Sequence, residues 1–454
     1  MDDLRALLAQ AASLAADFHD TLPDRPVYPQ ATTAQLREAF AAPLPDEPAD
    51  AATVIGELAA AAEPGLVGEP GGRYFGFVIG GAVPVSLAAN WLANTWDQNS
   101  ALDNVTPATS RVEHVALRWI IELLGLPAGC GGAFVTGATV ANFTALAAAR
   151  HSVLKHAGWN VEAEGLFGAP PITVVTGEEA HPSLIKSLGL LGLGRSRVVR
   201  VPVDGQGRIR ARSMPAPRGP TIVCAQAGNV NTGASDPFAD IAEQIRGSGA
   251  WLHVDGAFGL WAAVAPSLRA QVDGLTLADS WATDAHKWLN VPYDCGIGLV
   301  RDADALRAAM AITADYLPTE TTQRNPSDYT PELSRRARGV EVWAVLRSLG
   351  REGLIELLER NCRQARRFAE AFAAAGYRIL NDVVLNQVLV SFGDPATTQR
   401  VIAAVQADGT CWCGGTVWQG RAAMRISISS WATTLEDAER SAAAIIRVAR
   451  ELEY

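Results

Sequence analysis

Trp251-Leu-His-Val-Asp255-Gly-Ala-Phe258 and Ser280-Trp-Ala-Thr-Asp-Ala-His-Lys287-Trp-Leu-Asn290 are the stretches on which the reading of this chain turns. Each opens on a short apolar run suited to a buried strand and ends on small or charged residues. An Asp closing an apolar strand is costly to bury unless a partner or hydrogen bonds satisfy it. A lysine between a histidine and a tryptophan sits where an amine loses its proton readily and becomes a nucleophile. The 32 residues from Asp255 to Lys287 amount to one strand–helix–strand unit, which can place both at one edge of a sheet.

Working outward, further β-branched runs alternate with helical patterns from about residue 63 to 345. They are Ala133–Val135, Ile172–Thr176, Arg197–Val201, Thr221–Cys224 and Gly296–Val300. With the two opening runs they predict a large α/β domain with a mostly parallel sheet flanked by helices, its ligand crevice at the carboxyl ends of the strands. Residues 1–62 read as a helical arm, Ala- and Leu-rich and broken by prolines, too weak to stand without docking on something. Residues 346–454 read as a small C-terminal α/β domain, with strands at Tyr377–Leu380, Gln387–Phe392 and Met424–Ser429. The polar stretch 313–337 is long for a connection and suits a lid or binding loop.

The composition sets bounds. The chain has 454 residues, 48% hydrophobic and 19% charged, enough apolar material for a large core. A net charge of −10 argues against nucleic acid or an anionic membrane as partner. No secretory leader or membrane span is evident. The six cysteines are scattered without zinc-site spacing, so no metal is expected and a reducing cytoplasm is.

Of 38 basic residues only Lys155, Lys186 and Lys287 are lysine. Arginine serves most surface roles but cannot act as a neutral amine nucleophile. Lys155 suits a helix C-terminus and Lys186 a solvated helix face, whereas Lys287 lies in the opening motif. Two further elements converge with it. Phe134-Val-Thr-Gly137-Ala-Thr139 is a strand, a small-residue turn and a helix start, whose free N–H groups suit a phosphate. His181 lies just past a predicted strand end, in Gly177-Glu-Glu-Ala-His-Pro-Ser183. A Schiff-base lysine, a strand-end Asp, a phosphate turn and a stacking His together meet the needs of pyridoxal 5′-phosphate.

These motifs, with Thr106-Pro-Ala-Thr109, Asp294-Cys-Gly296 and Arg335-Arg-Ala-Arg-Gly-Val-Glu-Val-Trp343, resemble the group II pyridoxal-phosphate decarboxylases over roughly residues 65–450. The resemblance implies a fold-type I enzyme, the aspartate-aminotransferase-like architecture, acting as a homodimer with its active site at the interface. Lys287 would then carry the cofactor, Asp255 pair with its ring nitrogen, His181 stack above it and Ala257 pack below. Ala138, Thr139 and His286 would hold the phosphate, Asn231 would add a polar contact, and Asp284 stands where many relatives have Asn. Arg425 would take the substrate carboxylate, Phe77 would line the pocket, and Gly339 would leave room for a bulky side chain. Tyr329 is the natural loop acid, with Tyr316 behind it.

The implied activity is decarboxylation of an L-amino acid, aromatic or bulky apolar, to amine and CO2. Other Cα outcomes on the same scaffold (aldehyde synthesis, aldol or retro-aldol cleavage, transamination) form the alternative. A non-catalytic binding protein is opposed by the retained Lys287.

Overall fold

The computed structural model describes residues 2–312 and 324–452. Its N-terminal arm carries helices α1 (Asp2–Thr21), α2 (Thr33–Ala39) and α3 (Ala51–Ala62). Helix α2 starts at a capping box in which Thr32 and Gln35 satisfy each other's backbone N–H groups. Neither α2 nor α3 buries a residue in this chain.

Helices α4 (Pro84–Trp96) and α5 (Pro107–Leu123) lead into the large domain. Its strands are β1 (Gly131–Val135), β2 (Thr173–Gly177), β3 (Val199–Val201), β4 (Thr221–Gln226), β5 (Trp251–Asp255), β6 (Ser280–Asp284) and β7 (Gly296–Val300). Helices α6 (Ala138–His156), α7 (Val161–Glu164), α8 (Pro182–Leu190), α9 (Phe238–Ile245) and α10 (Ala303–Met310) connect or flank them. The sheet runs β1-β7-β6-β5-β4-β2-β3. Every pairing from β6 to β3 is parallel, while β7 runs antiparallel to both neighbours. The link from β6 to β7, residues 285–295, is too short for the crossover a parallel return needs. All five residues of β1, β5, β6 and β7 are buried, as expected of strands covered on both faces.

Helix α11 (Gly339–Ala374) crosses from one domain to the next, with a kink at Gly350 (φ 62°). Its N-terminal stretch, as far as Leu358, packs Val342, Val345, Leu354 and Leu358 into the large core. Its second half packs Ala365, Phe368 and Phe372 into the small one. Beyond it lie β8 (Arg378–Ile379), β9 (Gln387–Ser391), α12 (Pro395–Asp408), β10 (Gly414–Trp418), β11 (Arg421–Ser427) and α13 (Leu435–Glu451). They form an antiparallel sheet in the order β10-β11-β9-β8. The strand β10 has no counterpart in the sequence reading, since Gly414-Gly415 opens it without side chains to signal a strand.

Candidate active site

Three strands deliver the central residues to one edge of the large sheet. Strand β5 ends on Asp255, and register places Asp255 opposite Ala282 of β6. Strand β6 ends on Asp284, which pairs with Gly296 at the start of the reversed β7. Gly296 also pairs with Val135 at the end of β1, so the turn after β1 packs directly on it. A Cβ on Gly296 would lie 2.3 Å from the Gly137 carbonyl carbon, so only glycine permits this approach.

Lys287 follows β6 by three residues, and its Nζ lies 2.9 Å from Asp284 Oδ2. The other oxygen, Asp284 Oδ1, accepts the Ala138 backbone N–H at the first turn of α6. His286 sets Nε2 3.6 Å from the same oxygen, while its Nδ1 accepts the Cys295 N–H at 3.2 Å. The Tyr293 ring lies 4.3 Å from the His286 ring. A helix N-terminus, an ammonium and an imidazole thus converge on one anionic group, which is the donor set a phosphate requires.

His181 caps α8. Its Nδ1 accepts the Ser183 N–H at 3.2 Å and lies 2.7 Å from Ser183 Oγ. Burial pushes its pKa down, with Asp255 opposing and Lys287 and Arg425 adding to the shift. His181, Asp255, Lys287, Asp284 and Arg425 therefore share one electrostatic neighbourhood. Asp255 is buried, and desolvation raises its pKa against the pull of His181 and Lys287. Its Oδ1 is buried without a hydrogen-bond partner. A protonated ring nitrogen would satisfy that atom, and beside it Ala257 offers only a methyl group. The residues present therefore fit pyridoxal 5′-phosphate.

Asn231 and Arg425 meet at the loop after β4. Asn231 Oδ1 accepts the Thr416 hydroxyl at 3.0 Å, and Arg425 Nη1 donates to the neighbouring Val230 carbonyl at 3.4 Å. Thr139 contributes its carbonyl to Ser187 of α8, which ties the phosphate turn to the helix capped by His181. Phe77 is 60% exposed and stacks on Trp412 at 5.6 Å, with Tyr74 stacking on the same indole at 5.0 Å.

Two expected residues lie elsewhere. Gly339 packs on α5, where a Cβ would come within 2.8 Å of the Glu113 Cα, so its small size serves a helix contact within this chain. Tyr329 packs against the hydrophobic clusters around α6, with Arg324 over its ring at 4.1 Å, and the structure does not bring it to the Lys287 group. Tyr316 lies outside the described residues. Among the described residues no group of His, Cys, Asp or Glu is placed to hold a metal ion.

Sequence reasoning passed over Asn142, His253 and Trp412. Asn142 and His253 are fully buried polar residues beside Asp255. The signal for His253 was available, because residues two apart in a strand share a face and His253 stands two before Asp255. Trp412 comes from the small domain and carried no such mark.

Comparisons with known proteins bear on the chain as a whole. A family model described as the pyridoxal-dependent decarboxylase conserved domain matches residues 34–392. Tryptophan decarboxylase 1 of Oryza sativa subsp. japonica is 26% identical, over 94% of this chain and 90% of its own length. L-2,4-diaminobutyrate decarboxylase of Rhizobium meliloti is 30% identical, over 82% of this chain and 76% of its own. A crystal structure of Oryza sativa TDC with PLP and tryptamine has the same fold, with a TM-score of 0.92 over 100% of this chain and 99% of that one at 22% identity.

Proposed function

The chain belongs to the pyridoxal-dependent decarboxylase family, and from that premise we propose that it converts an aromatic L-amino acid to its amine and CO2. The observation that carries the proposal is the convergence of Lys287, Asp255, His181 and the Ala138 N–H at one sheet edge, with Asp255 Oδ1 buried and unpartnered.

Pyridoxal phosphate, when bound, supplies a sink for the electron pair left at Cα as CO2 departs. Lys287 is the amine that anchors it. Asp255 accepts the ring N–H and keeps that nitrogen protonated. Ala138, Thr139 and His286 would hold the phosphate end, the first through the backbone N–H that Asp284 Oδ1 takes in this structure. His181 stays neutral because burial opposes its charging, so it presents a flat imidazole rather than a competing cation. Arg425, half-buried, offers the planar fork that suits an α-carboxylate. The stacked Tyr74, Trp412 and Phe77 give an aromatic wall for the substrate side chain.

The exposed apolar residues Leu4, Leu8, Val54 and Leu58 of the arm support a homodimer. Six cysteines without a disulfide support a reducing, cytoplasmic location. No helix among the described residues is long and apolar enough to cross a membrane.

The test is CO2 release by the cofactor-loaded protein across aromatic, acidic and diamino acids, with products identified by mass. Equimolar CO2 and amine from an aromatic substrate is the expected result. Aldehyde with hydrogen peroxide would overturn the reaction outcome. Release confined to acidic or diamino substrates would overturn the substrate class, and no CO2 from any would overturn the activity.

A further inference from the structure

Behind Asp255, on the sheet face covered by α6, four buried side chains form a line. Trp251, His253 and Asp255 alternate along β5 and so share that face. Trp251 Nε1 donates to Ser280 Oγ at 2.8 Å. Ser280 Oγ lies 2.9 Å from His253 Nδ1, and His253 Nε2 lies 2.8 Å from Asn142 Oδ1. Asn142 Nδ2 is buried without a hydrogen-bond partner, and the Asn142 side chain lies near enough to the Asp255 carboxylate to draw its pKa down against burial.

The carboxylate end fixes the direction of every proton in the line. A carboxylate repels an amide oxygen, so Asn142 turns its NH2 towards Asp255 and its oxygen towards His253. That oxygen requires a donor, so His253 Nε2 carries the hydrogen. Burial pushes the His253 pKa down to about 3, so the ring is neutral and Nδ1 is a bare acceptor. Ser280 then donates its hydroxyl to Nδ1 and accepts from Trp251, whose indole can only donate. Each link from Trp251 to Asn142 then gives its hydrogen in the direction of Asp255, and reversing the line would turn the Asn142 oxygen towards the carboxylate.

We propose that His253 is a positioning residue for the cofactor. Locked as the neutral Nε2–H tautomer, it orients the Asn142 amide and through it keeps Asp255 charged and turned to the ring nitrogen. Lone second-layer histidines of this kind are ordinarily packing residues; here the donor–acceptor sequence gives the ring a polarity that packing alone would not require. The proposal rests on Asp255 as the partner of the ring nitrogen, but its first test does not.

That test is the 15N spectrum of the histidine rings, with His253 assigned by its loss in His253→Gln. The expected result is a neutral Nε2–H tautomer that does not titrate from about pH 5 to 8, the range where an ordinary imidazole does. A Nδ1–H tautomer or a titration in that range overturns the proposal, whatever the protein's activity. The second test is the dissociation constant of pyridoxal phosphate for two variants. His253→Gln retains a donor towards Asn142 and an acceptor towards Ser280, whereas His253→Phe retains the bulk alone. At metal sites the loss of an outer partner costs roughly 10–100-fold; on the same scale the Phe variant is expected to weaken cofactor binding by at least about tenfold, with Gln within a few-fold of the parent. Equal dissociation constants for the two variants would assign His253 to packing and overturn the proposal. A correct tautomer in a protein that binds no cofactor would instead count against the proposed function.

Discussion

At the scale of single residues, burial works against charge at the titratable groups of the site. His181, His253 and His286 are all pushed down by burial, while Asp255 is pushed up. His253 gives the cleanest consequence, because desolvation alone moves it from 6.5 to about 3. The unfolded chain takes up a proton below pH 6.5 and the folded one does not. Stability from this residue is therefore complete above that pH and falls as the solution is acidified through the window between the two values. At about 1.4 kcal/mol per pH unit, acidification from about pH 7 to 5 costs about 2 kcal/mol at this position. His253→Gln has no such proton to exclude. The stability gap between parent and variant is expected to narrow by about 2 kcal/mol over that range, measured by urea unfolding at each pH. A gap independent of pH would show that His253 ionises alike in both states. Asp236, buried and raised to about 7, moves the parent's absolute stability the opposite way, so the difference between the two proteins is the quantity to follow.

At the scale of elements, the site is held by the ends of strands and the starts of helices, and those ends need fixing. Arg335, its side chain fully buried, ties the end of β1 to the middle of α5 and to the loop after α4, just ahead of α11. Its Nη1 donates to Glu113 of α5 at 2.6 Å and to the Ser100 carbonyl at 2.6 Å, and its Nη2 to the Phe134 carbonyl of β1 at 2.7 Å. Arg335→Leu would leave Glu113 buried at 0% side-chain exposure with, among the described residues, the more distant Arg324 at 3.7 Å as its remaining ion-pair partner. A loss of about 3–5 kcal/mol is expected, read from the unfolding midpoint. A loss under about 1 kcal/mol would mean that the pair is not the anchor.

The same elements show what could be read in advance. The seven strands of the large sheet were legible because buried strands are short, apolar and punctuated by small residues. The reversal of β7 follows from the length of its connection rather than from its own residues. Asp255 and Lys287 stood out as charges at strand ends. Gly339 did not reveal its role, since a glycine looks the same whether it makes room for a ligand or for a neighbouring helix. Asn142 and His253 were hidden for a related reason: a polar residue inside a strand or helix declares its partner only once the fold brings the two together.

At the scale of the whole molecule, the charged neighbourhood around His181 draws on both domains, Lys287 from the large one and Arg425 from the small one. The arm adds a third part. Its helices α1 and α3 pair through Gln10 Nε2 donating to the Ala52 carbonyl at 2.9 Å, yet leave Leu4, Leu8 and Leu58 more than half exposed. The proposed homodimer would cover such a face, and sedimentation is expected to show a dimer that becomes a monomer when residues 1–62 are removed. An intact chain that sediments as a monomer, or a truncated one that remains a dimer, would place the interface elsewhere. The central claim is that this chain holds pyridoxal phosphate on Lys287. Its three lysines make the claim unusually easy to test. Borohydride treatment of the cofactor-loaded protein, followed by peptide mass mapping, is predicted to place the reduced cofactor on the peptide containing Lys287. Label on Lys155 or Lys186, or on no lysine, would contradict the account.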